Sequence, residues 1–110
     1  MGKPEGKVED HLIKKAEANN CLCYKFTSPS NNGVPDRIVI GIDKFGVKHT
    51  DFIETKAPGE KPRLLQRIIH AEMREHGATV FVLSTKEAID RYFRQFFESE
   101  ENANGHKIPD

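Results

Sequence analysis

Asp36, Glu54 and Lys56 are the residues of this chain whose types and spacing could do chemistry. Asp36 follows Gly33-Val34-Pro35 at the mouth of one apolar run, and Glu54 and Lys56 stand two apart in the next, Phe52-Ile53-Glu54-Thr55-Lys56. Side chains alternate faces along a strand, so Glu54 and Lys56 project from the same side. Two carboxylates and an ammonium converging at a sheet edge can hold a hard divalent cation and act on a phosphodiester. Such a cleavage needs an activated water, a stabilised extra negative charge and a neutralised leaving oxygen. Mg²⁺ suits the task because it takes oxygen ligands at about 2.0–2.1 Å and needs only a few protein groups. The backbone carbonyl of Thr55 would add one more oxygen. Lys56 would orient or help deprotonate the water, or stabilise charge on the phosphate.

The elements that must position these groups are readable from periodicity. Lys7 to about Asn20 carries Val8, Leu12, Ile13 and Ala16 at helical spacing, after a loose lead-in over residues 1–6. Cys21 to Phe26 reads as a short strand, and Thr27 to Gly33 (TSPSNNG) as a loop that approaches DNA backbone or acts as a gate. Asp36 to Ile42 and Val47 to Lys56 read as a hairpin turning at Asp43-Lys44-Phe45-Gly46. The hairpin sets the start of one strand against the end of the other, which makes Asp36 and Glu54 neighbours. Ala57-Pro58-Gly59 breaks the strand. Pro62 suits the first turn of a helix with an apolar stripe of Leu64, Leu65, Ile68, Ile69 and Met73, closed by Gly77. Ala78 to Leu83 is a strand covered on both faces, and Ser84-Thr85-Lys86-Glu87 a capping box in which Glu87 closes back on Ser84. The last helix bears Ile89, Tyr92, Phe93, Phe96 and Phe97. The expected architecture is therefore mixed α/β (α+β), in the order αβββαβα, with a mixed sheet flanked by helices. Residues 1–98 form one domain and 99–110 a polar, flexible tail.

On the first helix Glu9 precedes Leu12 and Ile13 and borders the buried face, where a carboxylate is awkward unless a cation meets it. An ordinary helix-edge glutamate is the alternative, and Glu5 and Asp10 are competing acids. Gln66, at the rim of the second helix's stripe, could hold the water or Glu9, or simply be solvated. Lys25, Arg37, Lys61, Arg63 and Arg67 flank the site and could meet phosphates or be plain surface charges. Together these residues read as a metal-dependent nuclease.

The formal net charge is zero, from 17 Lys+Arg and 17 Asp+Glu, which counts mildly against a nucleic-acid partner. Residues 52–70, however, hold four basic side chains against two acidic, and one of those acids is Glu54. At 110 residues there is room for one core. No apolar stretch approaches the ~20 residues of a membrane span, and the N-terminus lacks an apolar signal core. The expected location is the cytoplasm of a bacterial or phage-infected host cell. Cys21 and Cys23, with no second Cys or His pair nearby, read as small buried residues kept reduced, expected on opposite faces of the first strand. The five histidines show no ligand spacing and are assigned no role.

GVPDRIVI, DFIETKAPGEKPRLLQ and HGATVFVLST, with Lys25-Phe26 ahead of them, carry a family resemblance. The chain is similar to the virus-type replication-repair nucleases (VRR-NUC), a branch of the PD-(D/E)XK nucleases, from about Lys7 to Phe96. The resemblance implies a restriction-endonuclease-like core with a Mg²⁺ site, Mn²⁺ being able to substitute. Its first-helix acid corresponds to Glu9, bound directly or through water, and its PD acid to Asp36. Its E-x-K corresponds to Glu54 and Lys56, and its helix glutamine to Gln66. Small members of this type resemble homodimeric Holliday-junction resolvases acting on four-way DNA in repair and recombination. The aromatic face of the last helix is either a dimer surface or plain core packing. The same site could serve a flap or exonuclease-type repair activity, and a non-catalytic DNA-binding module is the reading from another class.

Overall fold

α1 (Pro4–Ala18) opens the described part of the chain, residues 4–99 in the computed structural model. The helix starts earlier than Lys7 because Pro4 serves as its first residue, where a missing N–H is harmless. Val8, Leu12 and Ala16, each one turn apart, are its buried stripe. β1 (Leu22–Lys25), β2 (Arg37–Ile42), β3 (Lys48–Thr55), α2 (Leu64–Glu75), β4 (Thr79–Leu83) and α3 (Lys86–Phe96) follow, in the expected order. The sheet runs β1-β2-β3-β4, with the first two pairings antiparallel and β3 parallel to β4 through the α2 crossover.

The register fixes which side chains share a face. Val39 and Ile53, wholly buried, meet the stripe of α1 and Ile89, Tyr92 and Phe93 of α3 in one core. His11 of α1 meets Asp90 of α3 at 2.7 Å, and Lys15 pairs with Glu98 just past α3. On the opposite face Phe52 aligns with Ile38 on β2 and Val80 on β4, and Glu54 with Val82.

Several expectations change here. Cys21 precedes β1 and is buried in the core, and Cys23 packs against the same core. They share a side, as residues two apart on an extended chain do. The Cys21 sulfur fills the space where a Cβ at Gly41 would stand, 2.7 Å away. Of the two readings of the aromatic face of α3, the structure shows core packing. Tyr92 and Phe93 are buried, and Phe81, Tyr92, Phe96 and Phe97 meet one another at ring centroid distances of 5.1–6.0 Å. The cap of α3 is Thr85, whose hydroxyl accepts from the Ala88 N–H, one residue later than Ser84. α2 is turned round: Gln66 and His70 are its buried residues, while Leu64, Leu65 and Ile68 are 64%, 48% and 52% exposed. Gln66 reaches Glu54 at the polar end of β3 and His70, one turn on, reaches the Gly33 backbone, so leucine at either position would remove a hydrogen-bond partner from a polar group.

Of the expected tail, residues 100–110 lie outside the described residues. Glu98, the residue before the tail, is buried against Lys15 and Asn19.

Candidate active site

Asp36 stands one residue before β2, and Glu54 is the penultimate residue of β3. The β2–β3 ladder ends at the Arg37–Ile53 pair. Beyond it the Asp36 carboxylate takes over: Oδ1 accepts from the Thr55 N–H at 3.3 Å and Oδ2 from the Thr55 hydroxyl at 3.1 Å. This tie fixes the carboxylate against the end of β3, beside Glu54. The approach to Asp36 is shaped by Gly33, whose φ of +101° suits glycine. A Cβ there would come within 3.1 Å of Ile69 Cγ1 and the Leu65 carbonyl. His70 hydrogen-bonds the Gly33 backbone from below, and its Nε2 has no partner among the described residues.

Glu54 is 4% exposed. Its Oε2 accepts from Gln66 Nε2 at 3.3 Å and lies 3.5 Å from Lys56 Nζ. The same Gln66 amide accepts the Arg63 N–H at 2.8 Å through Oε1, so it joins the start of α2 to the carboxylate. Burial first, and then the charge of Asp36, pushes the Glu54 carboxyl up to about 7. Burial also raises Asp36, partly offset by its hydrogen bonds from Thr55. Burial and the mutual repulsion of the two acids outweigh the nearby Lys56, so a further cation between them would be favoured.

The third acid there is Glu5. One carboxylate oxygen each of Glu5, Asp36 and Glu54 lie within 4.8 Å of one another. Ligands about 2.1 Å from an octahedral ion lie about 3.0 Å apart when adjacent and about 4.2 Å apart when opposite. A small inward movement therefore suffices. The donor set is all hard oxygen, which fits Mg²⁺ or Mn²⁺ and not a thiol-seeking metal. The three acids line an open groove of about 1010 Å³, with Lys56, Lys61, Arg63 and Gln66 also on its wall.

Asp36, Glu54, Lys56 and Gln66 thus come together as expected from their spacing. Glu9 does not join the acid cluster. Its Oε2 accepts from Arg37 Nε at 2.9 Å, one turn along α1 from Glu5. Arg37, expected to meet phosphate, is occupied by that pair, with its side chain 15% exposed. Lys61 and Arg63 border the groove, and Lys25 and Arg67 are exposed. Glu5 was one of the competing acids, and Pro4 at a helix start is the signal that would have favoured it. His70 carried no signal, since a lone histidine on a helix names no partner.

No protein-family profile matches the chain. A curated protein named "Putative nuclease p44", from Acyrthosiphon pisum secondary endosymbiont phage 1, is 37% identical over 83 residues, covering 76% of this chain and 85% of the relative. A solved structure described as a VRR_NUC domain superposes with a TM-score of 0.74 at 29% identity, over 87% of this chain and all of that one. The chain belongs to the VRR-NUC family. It is accordingly a DNA nuclease, and the mixed four-stranded sheet in the order αβββαβα is the VRR-NUC fold. In VRR-NUC terms the acidic cluster at the end of its hairpin is where a divalent metal is expected. Among the described residues no helix is long and apolar enough to cross a membrane.

Proposed function

We propose that this nuclease is a Mg²⁺-dependent, structure-selective DNA endonuclease that resolves four-way junctions as a homodimer, in the cytoplasm of a bacterial or phage-infected cell. The observation that carries the metal and phosphodiester chemistry is the convergence of Glu5, Asp36 and Glu54 beside Lys56 in one open groove. Residues 1–98 make the nuclease domain, with 99–110 as a polar tail.

A bound Mg²⁺ or Mn²⁺ supplies positive charge to the phosphate and an activated water. Asp36 and Glu54 hold it, with the Thr55 carbonyl as a further oxygen. Glu5 completes the set from α1, and Glu9 acts through water or through its pair with Arg37. Lys56 orients the attacking water and stabilises the extra charge as the phosphorus gains a fifth oxygen. Gln66 keeps Glu54 in one rotamer. Lys61, Arg63, Arg67 and Lys25 meet backbone phosphates, which fix register without reading bases.

The test is cleavage of a four-way junction with Mg²⁺, Mn²⁺ or EDTA, alongside flaps and single-stranded ends. Paired cuts on the junction, lost in EDTA, are expected. Preferential trimming of flaps or ends would replace the resolving role with a repair-exonuclease one, and junction binding without any cutting would remove the catalytic reading.

A further inference from the structure

α2 carries exposed apolar residues at the rim of the active-site groove. Two polar groups anchor its inner face, Gln66 to Glu54 and His70 to the Gly33 backbone. That anchoring turns Leu64, Leu65 and Ile68 outward, each about half exposed or more. Leu64 and Ile68 lie one turn apart, and Leu65 stands three residues before Ile68, so the three form one ridge. Leu65 also lines the groove that holds Glu5, Asp36, Glu54 and Lys56. Cations flank the ridge: Lys61 and Arg63 precede it on the groove wall, and Arg67 stands three residues after Leu64. All three are exposed, and none joins an ion pair among the described residues. Glu72 and Glu75, further along the helix, bound the stretch that phosphate can approach.

We infer that Leu64 and Leu65 are a wedge for the DNA: they pack on the face of a base laid bare beside the scissile phosphate, and so make cleavage depend on a break in base stacking. This deepens the structure-selective nuclease proposed above and rests on it. A lone exposed leucine needs no explanation, but these two stand among unpaired cations at the mouth of a nuclease groove. A ligand that suits such a surface is anionic along its backbone and apolar on a face, as a strand with an unstacked base is. The leucines are also close to the reaction. Gln66, next in the chain to Leu65, is hydrogen-bonded to Glu54, so a nucleotide whose phosphate is held at Asp36 and Glu54 passes the first turn of α2. In an intact duplex the base faces are covered by their neighbours, and prising a step apart costs a few kcal/mol. At a branch point or an unpaired base the stack is already interrupted and that cost falls. Apolar surface then leaves water on both sides of the contact, which favours the interrupted substrate. Phosphate contacts by Lys61, Arg63 and Arg67 hold any DNA alike, and the leucines supply the discrimination.

Single-turnover cleavage by the full chain carrying Leu64→Gln and Leu65→Gln tests this, glutamine being as good a helix former as leucine. On a four-way junction with Mg²⁺ the double variant should cut about 10–100-fold more slowly than wild type. When an abasic site is set opposite the nucleotide beside the cut, its rate should recover to within about threefold of wild type, because the stack is already open. A misplaced metal site or a folding defect would slow both substrates alike. Leu22→Gln, equally exposed but on β1, should change neither rate. In Ca²⁺, 2-aminopurine at the branch point should brighten when wild type binds and stay dim with the double variant. A wild type that prefers the junction while the double variant cuts it just as fast overturns the wedge and leaves the structure-selective nuclease standing. Equal slowing on the paired and abasic substrates overturns it too, and so does a loss confined to cuts beside thymine, which would make the leucines readers of the thymine methyl group. A wild type that cuts nothing yet brightens 2-aminopurine, as the double variant does not, supports the wedge and removes the activity reading instead.

Discussion

Ionised Glu54 works against the metal-free fold, and the size of the effect follows from its surroundings. The carboxyl sits at about 7 against an ordinary 4.5 because burial, with the charge of Asp36, disfavours its anion. Between those values the folded state keeps a proton that the unfolded chain has lost. Its stabilisation is therefore complete below pH 4.5 and is lost as pH rises through about 7. At 1.36 kcal/mol per unit the difference is about 3 kcal/mol, and for a domain of this size 1 kcal/mol moves Tm by roughly 4–8 °C. Without metal, Glu54 alone should lower Tm on the order of 10 °C between pH 5 and pH 8. Asp36 and His49, both raised, act in the same direction, and His70, lowered by burial, acts in the opposite one. Glu54→Gln isolates the one group, since the amide keeps the volume and an acceptor for Gln66 but cannot ionise. Melting curves in EDTA should lie closest together at pH 5, where both folded proteins present a neutral group to Lys56. They should separate at pH 8 with the variant more stable. Mg²⁺ at about a hundredfold its dissociation constant adds about 2.7 kcal/mol to the wild type, nearly cancelling the deficit, and little to the variant. Parallel wild-type and Glu54→Gln curves from pH 5 to pH 8 would refute the reasoning.

Four further outcomes are expected. Lys56→Ala and Asp36→Asn should each reduce junction cleavage at least about 100-fold in single-turnover assays while circular dichroism and junction binding in Ca²⁺ stay unchanged. Gly33→Ala, forced to a φ near +101° and pressed on Ile69 and the Leu65 carbonyl, should cost about 1–3 kcal/mol in urea titrations and slow cleavage by displacing Asp36. Tyr92→Phe removes the 2.5 Å bond to the buried Asp51 and should cost about 1–3 kcal/mol by the same measurement. His49 bonds both Asp43 and Asp51, and those bonds outweigh burial and raise its pKa. The stability it lends is present below pH 6.5 and fades as pH rises through the raised value, a slope that His49→Gln should flatten in Tm-against-pH curves.

The chemistry was legible because it is local. Asp36, Glu54 and Lys56 lie on a hairpin, and hairpin register follows from alternation and a four-residue turn. What could not be read was orientation decided by distant partners. Periodicity gives α2 an apolar stripe but does not say that the polar pair Gln66 and His70 must turn inward to meet Glu54 and Gly33. Nor does it distinguish the aromatics of α3, which bury against their own sheet, from the leucines of α2, which remain outside. The choice between Glu5 and Glu9 depends on one turn of α1, set by where Pro4 starts the helix and by Arg37 capturing Glu9. The clamp on His49 joins residues from the hairpin turn, β3 and α3 that no spacing rule connects.

The Asp36–Thr55 tie makes one backbone amide a sensor of the active site. The Thr55 N–H is held by a carboxylate oxygen where a strand would otherwise supply a carbonyl. Its exchange with deuterated solvent should therefore depend on what else that carboxylate is doing. Protonating Asp36 would weaken the acceptor and speed exchange. A cation that fixes the carboxylate in place would slow it. Ile53, one pair inside the ladder, provides the reference that should hardly respond. One amide resonance could thus follow proton and metal occupancy at the proposed catalytic centre without DNA, cleavage or any substitution.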